Sequence, residues 1–133
     1  MRKRVYYGDT DAIGIVYHAN YLRFFEMART ESLRSIGIEL PLLLAEYGIQ
    51  FAVVELTIKY FKPARLDDDL LLESQVSDVG KASVTYQQRI HLPNKIKGQS
   101  GDMICEARVK LVVVDENMRP TPVPSALKQE IMR

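Results

Sequence analysis

The spacing of apolar residues changes once along this chain, and that change limits the folds open to it. From about Asn20 to Ile36 they recur at the helical interval, so that one helix face would carry Tyr21, Phe25, Ala28, Ser32 and Ile36. From Ile49 onward the interval becomes two, which is the repeat of a strand with one buried face. This order predicts an α+β fold in which a curved sheet wraps around the helix.

Three helices are expected. The first has Asn20 as its N-cap and stops at Gly37, because glycine adopts the backbone conformation that ends helices. The second is short and runs from Pro41 to about Tyr47, since proline fits the start of a helix. The third covers Ser125 to about Met132.

Strand alternation is clearest over residues 84–92 and recurs over 54–60 and 105–113. Turn-forming residues separate these strands, and such short connections favour antiparallel neighbours. We expect the aspartates at 67–69 to form a solvated turn and residues 98–102 to form a hairpin loop. The pattern does not give the order of the strands.

Two single residues within the strands have simple interpretations. Cys105 falls on the apolar face of its strand, where it is expected to behave as a small hydrophobic residue. His91 falls on the polar face, where solvent exposure would account for it.

Composition excludes several classes of protein. The length of 133 residues fits one domain, and the net charge of +1 is not typical of a nucleic-acid-binding protein. One cysteine and two histidines give neither a disulfide framework nor a convincing metal site, so no metal or cofactor is expected. The longest stretch without Asp, Glu, Lys or Arg, residues 12–22, is far short of the ~20 apolar residues of a membrane span. Without a signal-peptide pattern, the chain is expected to be cytoplasmic.

Residues 6–21, with the sequence YYGDTDAIGIVYHANY, are the strongest candidate for a site. They place Asp9, Asp11 and His18 directly before the first predicted helix. The first N–H groups of a helix lack partners within the helix and can bind an oxygen that gains negative charge. A carboxylate beside them could act on the carbonyl carbon as a base or as a nucleophile.

The same residues also have a plainer interpretation. Asp9 and Asp11 could only turn the chain, and His18 could be an ordinary loop histidine, which single-residue frequencies favour. The sequence does not favour a calcium loop, because Ile13 stands where an oxygen ligand belongs and Asn20 stands where a bidentate Glu belongs.

The segment over residues 6–31, YYGDTDAIGIVYHANYLRFFEMARTE, resembles the hotdog-fold acyl-CoA thioesterases of the 4-hydroxybenzoyl-CoA thioesterase type. It is most similar to their Tol-Pal-associated, YbgC-like branch. The resemblance continues through YFKPARLDD at 60–68 and RPTPVP at 119–124, so residues 1–133 would form a single hotdog domain. Two positions differ from the family pattern: Gly8 replaces a common acidic residue, and Ile13 replaces a small one.

The resemblance implies an acyl-CoA substrate and an antiparallel hotdog sheet that assembles into a homo-oligomer, a dimer or a tetramer. It assigns the catalytic carboxylate to Asp11 and the oxyanion donor to a backbone N–H at about His18, with Tyr7 and the His18 side chain as orienting groups. The positions it associates with the nucleotide of coenzyme A are Lys81, Ser83 and Arg119.

The resemblance leaves two choices open. Asp11 could activate a water molecule, or it could attack the thioester and form a mixed anhydride; Asp9 is expected to matter less. The chain could also be a hotdog hydratase or dehydratase, in which Asp11 and His18 share the chemistry, or a non-catalytic acyl-CoA-binding subunit.

Overall fold

A five-stranded antiparallel sheet packs against one long helix in the computed structural model, which describes residues 1–93 and 100–132. In chain order the elements are β1 (Arg2–Arg4), α1 (Asn20–Ser35), α2 (Leu40–Tyr47), β2 (Gln50–Tyr60), β3 (Asp69–Val79), β4 (Ser83–Pro93), β5 (Ser100–Val114) and α3 (Ser125–Ile131). The strand order across the sheet is β1-β3-β4-β5-β2. The predicted α+β class, the three helices and the three strands are therefore confirmed.

The range of β3 was not predicted, because the residues at its start do not alternate. Leu70, Leu71 and Leu72 are consecutive, although only Leu70 and Leu72 are buried. The strand begins at Asp69, whose carboxylate accepts a hydrogen bond of 2.6 Å from Arg2 in β1. The prediction of a solvated turn over all three aspartates is therefore wrong at Asp69. The hairpin loop predicted at 98–102 lies partly outside the described residues, and from Ser100 the chain belongs to β5.

The buried face of α1 differs in part from the predicted one. Its buried residues are Tyr21, Phe24, Phe25, Ala28 and Leu33. Ile36 is exposed because the helix ends at Ser35 and Gly37 turns the chain with a φ of 84°. Asn20 is also not the N-cap: it is the first helical residue, and its side chain reaches back into the preceding loop.

A polar side chain fixes α1 on the sheet. Gln88 of β4 is fully buried, and its Nε2 donates to the backbone oxygen of Phe25 at 2.9 Å and to Ser74 Oγ at 3.0 Å. Its Oε1 accepts a hydrogen bond of 2.9 Å from Arg29. A buried amide needs all of these partners, so this contact sets the position of the helix over β3 and β4.

His91 is not solvent-exposed as the sequence predicted, since only 5% of it is accessible. It does lie on the outer face of β4, but this is a central strand, so neighbours on both sides cover the ring. Its direct partners are Leu71 of β3 and Met103 of β5. Its Nε2 lies 2.9 Å from Glu73 Oε1, which satisfies the ring.

No helix in residues 1–93 or 100–132 is long and apolar enough to cross a membrane.

Replacing Gln88 with Ala tests the fixing contact. We expect the free energy of unfolding to fall by about 3 kcal/mol, because the Phe25 oxygen and the Arg29 guanidinium lose a buried partner. Denaturant unfolding at one fixed protein concentration measures this. Gln87→Ala, on the opposite face of the same strand, is the control and should cost less than about 1 kcal/mol. Equal losses in the two variants would contradict the assignment.

Candidate active site

The loop before α1 is held in a defined conformation by backbone hydrogen bonds. It begins with a short 3-10 turn over Tyr7–Asp9 and then folds back on itself, so that Thr10 pairs with Val16. Within this fold the Asp11 N–H donates to the Ile15 oxygen at 2.8 Å. The Val16 N–H donates to Ala64 at 2.8 Å, which attaches the loop to the segment after β2.

The two carboxylate oxygens of Asp11 have different surroundings. Its Oδ1 accepts a hydrogen bond of 3.0 Å from the Ile13 N–H, which stabilises the tight turn. Gly14 closes that turn with a φ of 82°. In the part of the chain that the structure describes, Oδ2 has no hydrogen-bond partner. The chain-turning interpretation therefore accounts for one oxygen of Asp11 and leaves the other available.

Two backbone donors at the start of α1 are also available. The Tyr17 N–H donates to the Asp9 oxygen at 3.0 Å and the Asn20 N–H donates to the Tyr17 oxygen at 2.8 Å. Between them, the N–H groups of His18 and Ala19 have no acceptor among residues 1–93 and 100–132. These are the donors at which an oxyanion could be stabilised.

A cleft of about 260 Å³ lies beside these donors, between the helix start and the end of β2. Its lining includes Ile15, Val16, His18, Tyr21, Tyr60 and Pro63. The Tyr60 hydroxyl donates to the His18 oxygen at 3.0 Å, and the Tyr21 hydroxyl accepts from the Ala64 N–H at 3.0 Å. Burial raises the pKa of both phenols, so both hydroxyls are neutral at physiological pH.

The ring of His18 is exposed and lies against Tyr17, with 4.5 Å between ring centroids. It is thus at the cleft and open to a ligand. Tyr7 is elsewhere: its side chain is 83% exposed and does not line the cleft, so the described subunit alone does not bring it to His18.

A second cavity, of about 200 Å³, lies further along α1 beside α2 and β2. It is bordered by Glu26, Arg29 and Tyr86. Burial lowers the pKa of Arg29 and raises that of Tyr86 to about 12. We place the candidate site in the first cleft, since His18, which carries one of the available helix-terminal donors, lines it.

Asp9 is the carboxylate that sequence reasoning undervalued. It is 4% exposed, and its oxygens accept hydrogen bonds from Tyr6 N–H, Lys3 and Arg23. Burial alone would raise the pKa of Asp9, but these donors and the two cations together lower it below its ordinary value. The charged form is therefore favoured in the folded state, and its contribution to stability is lost only as the pH falls through that lowered pKa. Nothing in the spacing of the sequence indicates these contacts.

The three residues expected near the nucleotide lie at the other end of the sheet. Ser83 pairs with Val112, whereas Tyr60 at the cleft pairs with Cys105. These positions on β5 are separated by roughly 23 Å at the usual rise of a strand. Lys81 and Arg119 lie at the Ser83 end, where the Val123 N–H donates to the Lys81 oxygen and the Arg119 N–H donates to Asp115.

The remaining candidate groups are metal-ligating side chains and the single thiol. Among the described residues, no three His, Cys, Asp or Glu side chains come together in a group that could hold a metal ion. Cys105 is fully buried on the inner face of β5, and this burial raises the pKa of its thiol to about 12. It is a packing residue, as the sequence predicted.

Comparison with protein families matches residues 13–98 to the thioesterase superfamily. Among curated relatives, the chain is 44% identical to the acyl-CoA thioesterase YbgC of Haemophilus influenzae, over 94% of this chain and 88% of that one. It is 39% identical to the acyl-CoA thioester hydrolase YbgC of Escherichia coli O157:H7, over 96% and 90%.

Solved structures agree on the fold. A probable thioesterase from Bartonella henselae superimposes with a TM-score of 0.82 at 34% identity, covering 93% of this chain and 97% of that one. A 4-hydroxybenzoyl CoA thioesterase in complex with 4-hydroxybenzoyl CoA gives a TM-score of 0.89, with coverage of 98% and 96%. At 21% identity this second likeness concerns the hotdog fold alone.

Proposed function

This chain belongs to the thioesterase superfamily, and we propose that it hydrolyses the thioester bond of acyl-CoA, releasing a free acid and coenzyme A. We assign the catalytic carboxylate to Asp11 and the oxyanion donor to the backbone N–H of His18. The observation that supports this proposal is that the loop of Asp11 borders the cleft at the start of α1. The Asp11 N–H donates to the oxygen of Ile15, and Ile15 and His18 both line that cleft.

The chemistry needs little more than these groups. Sulfur donates electrons poorly into a thioester carbonyl, so its carbon is more electrophilic than that of an ester. In one route Asp11 takes a proton from water as the water oxygen attacks this carbon; in the other, Asp11 attacks the carbon itself and water then hydrolyses the mixed anhydride. Either way the carbon–sulfur bond breaks and the thiolate of coenzyme A leaves and takes up a proton.

The helix start stabilises the charge that develops. In the tetrahedral state the former carbonyl oxygen is an anion, and a preorganised N–H donor of this kind contributes ~3 kcal/mol. The Tyr60 hydroxyl helps to hold the helix start in place, because it donates to the His18 oxygen at 3.0 Å. We assign the orientation of the substrate to the His18 ring and to Tyr7. The His18 ring lines the cleft, whereas Tyr7 lies outside the cleft of its own subunit.

We also propose a homo-oligomer, because β2 leaves a long edge without a strand partner in the described chain. This strand has eleven residues, and Val53 and Val54 on it are more than half exposed. An unpaired apolar edge of this length favours pairing with a second strand. A cytoplasmic location, expected from the sequence, belongs to the same proposal.

Pairing β2 with its own copy would also explain where the cations lie. A twofold antiparallel pair places the Tyr60 end of one strand beside the Gln50 end of the other. Gln50 pairs with Val114, so it lies at the end of the sheet that carries Lys81 and Arg119. Coenzyme A in one cleft would then meet the cations and Ser83 of the neighbouring subunit.

Neutralising Asp11 tests the catalytic assignment. We expect Asp11→Asn to fold normally but to lower kcat by at least ~100-fold, because an amide is neither a base nor a useful nucleophile. Thiol release from short, long and aromatic acyl-CoAs measures this. Asp78→Asn, which removes an exposed carboxylate from the end of β3 far from the cleft, is the control and should leave kcat as in wild type. An Asp11→Asn activity within about threefold of wild type would refute the assignment.

Two further measurements on the wild-type protein separate the alternative functions. Hydration of an enoyl-CoA without thiol release would identify a hydratase. Thermal stabilisation by acyl-CoA without any turnover would identify a binding subunit.

Replacing the distant cations tests where the nucleotide binds. We expect Lys81→Ala and Arg119→Ala each to raise KM for acyl-CoA by roughly fivefold with kcat little changed, since such contacts stabilise ground and transition states alike. The effect should shrink as salt screens the charges. Lys110→Ala, on the outer face of β5, is the matched control. An unchanged KM in both variants at low salt would show that these are ordinary surface charges.

Light scattering tests the oligomer. At micromolar concentration the measured mass should be at least twice the 15.2 kDa of one chain, because burial of the β2 edge favours association. A fully active species with the mass of one chain would overturn the proposal that two subunits contribute to each binding site.

A further inference from the structure

Asp9 is held at both its side chain and its backbone. Its Oδ1 accepts a hydrogen bond of 2.8 Å from Arg23, and its Oδ2 accepts bonds of 3.0 Å from Lys3 and 2.9 Å from the Tyr6 N–H. Its backbone oxygen accepts bonds from Asn20 Nδ2 at 2.9 Å and from the Tyr17 N–H at 3.0 Å. Both carboxylate oxygens are occupied, so Asp9 is not available for chemistry on a substrate.

Two of these donors come from one face of α1. Asn20 and Arg23 are three positions apart, which places their side chains next to each other on the helix surface. One binds the carbonyl of Asp9 and the other binds its carboxylate. A single loop residue is thus clamped to the first turn of the helix by two side chains of that turn.

The clamp residues flank the two groups that the proposed chemistry uses. Asp9 is two residues before Asp11, and Asn20 is two residues after His18. The bond from Asn20 to Asp9 therefore ties together the two ends of the loop that carries Asp11 and the His18 N–H. We propose that Asp9 is a positioning residue, which through Asn20 and Arg23 fixes Asp11 relative to the oxyanion donor; this rests on the proposed acyl-CoA hydrolysis.

The carboxylate charge is needed for this task. Two cations from different elements contact Asp9: Lys3 belongs to β1 and Arg23 to α1. The Asp9 side chain is only 5% exposed. Lys3 also lies over the rings of Tyr6 and Phe24, at 4.5 and 5.2 Å from their centroids, so it has little freedom to move away. An amide at position 9 would keep one oxygen acceptor but turn its NH2 group either toward Arg23 or toward Lys3 and the Tyr6 N–H, and the loop would have to shift.

A small shift of the loop is costly for catalysis. A displacement of about 1 Å between reacting groups can lower a rate by ~100-fold. Binding of coenzyme A would be affected much less, because Lys81 and Arg119 lie at the other end of the sheet. The inference therefore predicts a loss in kcat with KM preserved.

The test uses two variants of the clamp and one matched control. Asp9→Asn removes the central charge, and Arg23→Gln removes one clamping side chain that is itself 59% exposed, so its loss leaves the core intact. Arg34→Gln is the control: Arg34 lies on the same helix with a side chain 51% exposed, but it pairs with Glu31 and Glu39. Each protein is assayed for kcat and KM, and calorimetry gives the stoichiometry and Kd of coenzyme A binding.

We expect Asp9→Asn to lower kcat at least about tenfold and Arg23→Gln to lower it several-fold, with KM and binding stoichiometry as in wild type. Arg34→Gln should match wild type, and Arg23→Lys, which restores a cation, should recover most of the loss. Amide hydrogen exchange at Tyr17, whose N–H binds the Asp9 oxygen, should accelerate in the two clamp variants alone.

Three results would overturn the inference, and they are distinguishable. Unchanged kcat in both clamp variants of an active wild type would remove the role of Asp9 and leave the proposed hydrolysis standing. A fall in kcat matched by an equal fall in binding stoichiometry would show a folding role only. No thiol release from wild type would overturn the proposed function itself, and hydrogen exchange at Tyr17 would still show whether Asp9 holds the loop.

Discussion

The packing of one face of α1 against the sheet is the constraint on which the rest of this structure depends. Phe24 and Phe25 are fully buried, and Gln88 hydrogen-bonds the backbone of Phe25 from the middle of β4. The helix can therefore neither slide nor rotate without breaking buried hydrogen bonds or opening a void. This fixes its N-terminus above Tyr60, and so it decides where the unpaired N–H groups of His18 and Ala19 face.

The elements that the sequence revealed are those whose pattern is local. The period of α1 and the alternation in β4 and β5 depend only on nearby residues, so they can be recognised without the fold. Residues 70–72 of β3 are uniformly apolar, and His91 is polar yet covered. The burial of these residues depends on strands that lie beside them only after folding. Strand order depends on the same long-range pairing.

The candidate site divides in the same way. Asp11 and His18 could be singled out because the loop and the helix start are contiguous in sequence and carry a family motif. Asp9 could not, since its meaning comes from Lys3 in β1, a strand of three residues that is held in place by β3. Secondary-structure propensity cannot predict a contact that depends on the pairing of two segments more than sixty residues apart. In the fold, Asp9 is more than a turn former, because both of its carboxylate oxygens accept hydrogen bonds.

Cys105 has a practical consequence for enzymology on this protein. It is the chain's only cysteine, it is fully buried, and the pKa of its thiol is raised to about 12. Colorimetric disulfide reagents react with accessible thiolates, so the native protein adds no background to an assay that counts liberated coenzyme A. The same burial makes Cys105 a reporter of the folded state. If a preparation reacts with the reagent before substrate is added, it contains unfolded chains.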